Sequence, residues 1–163
     1  MKQAAESPQA SAEHYNNLAW RLATGPAALR DPEQALVLAR KAVALAPGTA
    51  IYLNTLGVAQ YRADQYAEAI TTLEKSLVAG KGESDAFDLF FLAMARHKLG
   101  QIDRARADLD RGLRWRREHP NPAGPGWSQE LNMFQAEAEE LLNAPLPPLP
   151  ADPFAPDQPS QAP

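Results

Sequence analysis

Three histidines, His14, His97 and His119, are the residues best able to move a proton or hold a metal near neutral pH. They stand far apart and lack a spacing such as His-x-x-x-His. The chain has no cysteine, which excludes disulfides, thiolate metal sites and thiol nucleophiles. No serine sits in a Gly-x-Ser-x-Gly turn, and no glycine-rich phosphate loop is present. The acidic run Glu137, Glu139 and Glu140 reads as an exposed helix face rather than an acid–base pair. These residues predict a chain that is not an enzyme and that needs no metal and no cofactor.

Charge narrows the partners. Lys and Arg number 16 against 20 Asp and Glu, a formal net charge of −4, so no global basic field favours nucleic acid or an anionic membrane. The one basic cluster is Arg104, Arg106, Arg111, Arg114, Arg116 and Arg117. Asp103, Asp108, Asp110 and Glu118 are interleaved with it, which reads as a solvated, self-paired helix face. No apolar run approaches the roughly 20 residues of a membrane span. The polar stretch through Asn17 lacks the apolar core of a secretory leader. The expectation is a cytoplasmic protein that binds neither nucleic acid nor membrane.

What positions the side chains is a frame that recurs three times. Leu53, Leu56-Gly57, Ala69 and Leu73 are followed, 36 residues on, by Leu89, Leu92-Ala93, Ala105 and Leu109. An earlier copy holds Tyr15, Leu18-Ala19, Ala35 and Ala39. A period in the mid-thirties with two helices per unit means a stacked helical solenoid. Helix starts are marked by Ser7 or Ser11, by Asp31-Pro32-Glu33-Gln34 as a capping box, and by Thr49, Ser84 and Ser128. Gly57, Ala69, Ala93 and Ala105 are small where two helices must cross closely. Trp115 and Trp127 flank a Pro/Gly linker and are expected to seat the last helix.

The face of each first helix opposite its core stripe would line a concave groove. That face holds Glu13, Asn16, Trp20, Ala23 and Thr24, then Ile51, Asn54, Val58, Tyr61 and Arg62, then Phe87, Phe90, Met94, His97 and Lys98. So apolar an exposed stripe marks a contact surface. The opposing reading, that Trp20, Phe87 and Phe90 pack between neighbouring first helices as core, stands beside it.

The helix pairs resemble tetratricopeptide repeats over roughly residues 12–118. The resemblance rests on Tyr15, Leu18 and Ala19; Leu53, Leu56 and Gly57; Leu89, Leu92 and Ala93, each followed by a second helix carrying Ala35, Ala69 or Ala105. It implies an all-α, right-handed superhelix of three helix pairs with a C-terminal capping helix. The repeats would span about 12–48, 49–82 and 84–119, and the cap 128–143. It also implies a protein–protein interaction module that takes an apolar extended or helical segment of another protein in the groove. The alternative is a homo-oligomerisation module in which groove or tail completes a neighbouring copy. Chaperone-binding members clamp a carboxylate with Lys, Asn and Arg. The matching positions hold Asn16, Trp20, Thr55, Phe87 and Phe91, so the clamp is missing, and Arg62 and Lys98 at the rim suit a segment with an occasional acid. The wording of Asn17–Thr24, Leu29–Pro32 and Asp85–Ala95 further resembles a repeat block at the C-terminus of planctomycete serine/threonine protein kinases and WD-repeat proteins. No kinase signature accompanies it, which implies an adaptor without the enzyme.

Residues 1–10 read as a flexible lead. Residues 144–163, with eight prolines and no Lys or Arg, read as a disordered tail whose Leu146, Leu149, Phe154 and Asp157 could fold back into the groove.

Overall fold

Start signals set the helical frame. In the computed structural model, which describes residues 11–120 and 125–144, the Ser11 hydroxyl accepts the His14 N–H at 3.2 Å and opens α1 (Ala12–Thr24). Asp31 accepts the Gln34 N–H at 3.0 Å and, with Pro32 at the first position, opens α2 (Pro32–Leu45). The reciprocal arm of the expected capping box is pre-empted, because the Asp31 N–H donates to the Leu22 carbonyl across the connection. Then follow α3 (Ala50–Arg62), α4 (Tyr66–Gly80), α5 (Asp85–Lys98), α6 (Ile102–Glu118) and α7 (Pro125–Asn143). Thr49 and Ser84 stand at their N-caps without a capping side-chain bond. Ser128 is not a cap: α7 begins three residues earlier, at a proline suited to a first turn. The expected lead 1–10 and the proline-rich tail lie outside the described residues.

The helices pack as antiparallel pairs α1–α2, α3–α4 and α5–α6. Each second helix rests on the next pair, and α1, α3 and α5 line up as one inner layer. The turn inside the second and third pairs is the same device used twice. Asp64 (φ 58°) and Gly100 (φ 72°) take the left-handed conformation, and the next residue's N–H, from Gln65 or Gln101, returns to the carbonyl of Gln60 or Arg96 at 2.9 Å. The first pair instead closes through Gly25 and a short 3-10 turn, Ala27–Leu29.

Small residues set the crossing distances. A Cβ added to Gly57 would lie 2.5 Å from Leu73 Cγ, and one on Gly112 would lie 2.8 Å from Phe90 Cε1. Ala69, Ala93 and Ala105 are fully buried. The repeat position decides exposure too. Leu56 and Leu92 are buried, whereas their first-repeat counterpart Leu18 is 42% exposed, since among the described residues no preceding pair covers α1. Arg96 joins Glu74 of α4 to the buried Asp108 of α6, which also meets Arg111. The Trp115 indole donates to the Gly82 carbonyl at 2.7 Å, so it fastens the α4–α5 loop rather than seating α7.

Candidate binding face

The inner layer is where the candidate residues converge, and it is already covered. α7 lies on it with Leu131, Phe134 and Ala138 buried. Phe134 sits 5.0 Å from the Phe91 ring, 5.8 Å from Trp20 and 6.1 Å from Phe87, each edge to face. One helix thus touches side chains from the first and the third repeats. Two polar contacts flank that aromatic cluster. The Trp20 indole donates to Glu130 at 3.0 Å, and Arg62 grips Glu137 with both guanidinium nitrogens, Nη2 to Oε2 at 2.7 Å.

Arg62 is held from below as well. Its guanidinium lies 5.5 Å from the Tyr61 ring and 5.2 Å from the Phe91 ring, with the side chain only 10% exposed. The Glu137 side chain is 34% exposed, so the pair is sheltered on the arginine side only, and its bidentate geometry is what sets it above a simple surface pair. Burial, and then the Glu137 carboxylate, hold the Tyr61 hydroxyl well above its ordinary range, so it stays neutral. Glu137, read from sequence as part of an exposed run, belongs to this face; Glu139 instead accepts from Gln135 at 2.9 Å.

The residues expected in the groove divide three ways. Trp20, Tyr61, Arg62 and Phe87 lie in the cluster under α7. Val58, Phe90 and Met94 are wholly buried, and Phe90 packs on Gly112 of α6 rather than facing the groove. Its neighbour Phe91 is the one turned to α7, a step of about 100° around the helix that a pattern of apolar residues cannot resolve when three successive residues are Leu-Phe-Phe. Lys98 is exposed and His97 half-buried, and neither makes a hydrogen bond or ion pair described for this face.

Asn16 and Asn54 line a cleft of about 360 Å³ at the α7 N-terminal end, together with Trp20, Phe87, Trp127 and Glu130. Asn54 donates to Asp88 at 2.9 Å, in the buried layer between α3 and α5. Burial raises the Asp88 carboxyl to about 7 despite the hydrogen bond from Asn54. Among the described residues no group of His, Asp or Glu is arranged to hold a metal ion, and no helix is long and apolar enough to cross a membrane.

Residues 89–119, the third repeat, match the family model of the tetratricopeptide repeat. A solved structure of the Sgt2 tetratricopeptide-repeat domain from Aspergillus fumigatus superposes with a TM-score of 0.53, covering 96% of this chain and 97% of that one at 18% identity. The chain has the tetratricopeptide-repeat fold. No curated protein matches it. Tetratricopeptide-repeat folds in general present a surface to other proteins. Within the tetratricopeptide-repeat frame, α7 covers the inner layer itself as well as the last pair, a wider role than the end cap expected from the sequence.

Proposed function

We propose that the inner face binds an amphipathic helix of another protein, in an adaptor or regulatory role, and that α7 holds the place until the partner arrives. The observation that supports this is the seat of α7: one aromatic side chain, Phe134, among Trp20, Phe87 and Phe91, and one acid, Glu137, on Arg62 three residues further along. An aromatic at i and a carboxylate at i+3 stand on one helical face, so the seat specifies a pattern that another helix can carry. Every copy of the chain contains such a helix, which gives the second reading, self-association by exchange of α7.

The test is a labelled peptide of residues 125–144 titrated into the full chain and into a double variant, Phe134→Ala with Glu137→Gln. The variant, its own helix weakened, should take up the peptide with low-micromolar affinity and remain monomeric. The wild type should bind at least tenfold more weakly, about 1.4 kcal/mol. A folded variant that ignores the peptide would sink the reading, and a variant that dimerises without peptide would favour exchange.

A further inference from the structure

The cleft at the α7 N-terminal end is built for a different group from the one that fills the aromatic cluster. Its walls are three rings set edge to face: Trp20 to Phe87 at 6.2 Å and 63°, Phe87 to Trp127 at 5.2 Å and 83°. Among the described residues Glu130 is its only charged side chain, and no Lys, Arg or His lines it. The Trp20 indole fixes one carboxylate oxygen of Glu130, leaving the other for a ligand. At the floor, Asn16 is 4% exposed and carries a buried Oδ1 without a hydrogen-bond partner. Asn54 spends one of its two amide N–H groups on Asp88, and its carbonyl oxygen has no bond described to it.

Ring faces carry negative potential and attract cations, and a carboxylate at the mouth repels anions. The first turns of α3 and α5 border the cleft, and helix N-termini alone would favour an anion. α5 carries Asp85 in its own first turn, which opposes that field. The acceptors are spread over the floor and the mouth, a layout matched by a planar fork of donors better than by the point charge of an ammonium. We propose that this cleft binds the guanidinium of an arginine side chain carried on a partner segment. The source of that arginine rests on the reading of the chain as a segment-binding module; the chemistry of the cleft does not.

The experiment uses the full chain, ¹⁵N-labelled, and follows the indole N–H signals of Trp20 and Trp127. Trp115, fastened to Gly82 elsewhere, serves as the internal control. N-acetyl-arginine amide should shift the two signals saturably in the millimolar range and leave Trp115 in place. The lysine, norleucine and glutamate analogues should bind progressively less, the last two not at all. Glu130→Gln should weaken arginine about tenfold. If that variant loosens α7, Trp127→Leu, which replaces the ring packed on Phe87 by a smaller apolar group, should lower the affinity while hydrogen-exchange protection of α7 is kept. No saturable shift, equal binding of norleucine or lysine, or binding of glutamate would each overturn the assignment. The probe reads the cleft alone, so its failure leaves peptide binding on the inner face standing, and the reverse.

Discussion

α5 meets two neighbours in two different ways. Against α6 it lays Leu89 and Phe90 onto Gly112, where the fit depends on an absent side chain. Against α7 it offers the rings of Phe87 and Phe91, with Arg62 of α3 clamping Glu137 alongside. The first contact is close-packed around a missing side chain, and the second is built of large aromatic rings and is partly ionic. Small residues at crossings fix an axis distance and tolerate no substitute. Aromatic anchors with a flanking ion pair are the usual composition of interfaces between separate partners. The difference separates what holds the repeats together from what merely rests on them.

The largest expected effect tests the permanent side through pH. Asp88 is buried between α3, α4 and α5, and its carboxyl is raised to about 7 by burial, with Asp85 adding to the rise. The folded state therefore binds this proton more tightly than the unfolded chain, where the group titrates near 4. Its contribution is complete below about pH 4 and is lost as pH climbs through about 7. Asp88→Asn, which keeps the hydrogen-bonding shape without the charge, should be neutral at pH 4. At pH 8 it should be more stable by a few kcal/mol in urea melts. Equal gains at both pH values would show that ionisation is not what the burial opposes.

Next comes the crossing itself. Gly57→Leu must push α3 and α4 apart at Leu73, with an expected loss of about 2–3 kcal/mol. An unchanged urea midpoint would mean that Leu73 yields more easily than the 2.5 Å approach of an added Cβ implies.

The smallest effect on global stability should come from the replaceable side. Phe134→Ala would cost about 3–5 kcal/mol in a rigid core. A terminal helix can undock locally instead, so the loss is capped at what its docking contributes. The global midpoint should move by about 1 kcal/mol or less, while amides of α7 lose hydrogen-exchange protection and those of α3 and α5 keep theirs. Loss of protection throughout would erase the distinction between the two contacts.

The frame was legible because it repeats. Leu53 to Leu89 and Gly57 to Ala93 keep one spacing, and Asp31-Pro32 marks a helix start whatever surrounds it. The destination of α7 was not legible. Its stripe of Leu131, Phe134 and Ala138 announces a buried face, yet periodicity along one helix says nothing about which other helix receives it. That same gap made the inner stripe look open, hid Glu137 in an acidic run, and left Phe90 and Phe91 undivided. Local pattern encodes elements; the aromatic cluster is assembled from residues over a hundred positions apart, as Trp20 and Phe134 are.

The seat of α7 also bears on how the protein keeps company with itself. Stripped of that helix, the inner layer would show water a continuous field of Trp20, Tyr61, Phe87 and Phe91, the kind of surface that adheres without discrimination. By spending one of its own helices there, the chain covers that patch; on the reading proposed above, the patch becomes an address, opened only to a segment that can match both the ring and the acid.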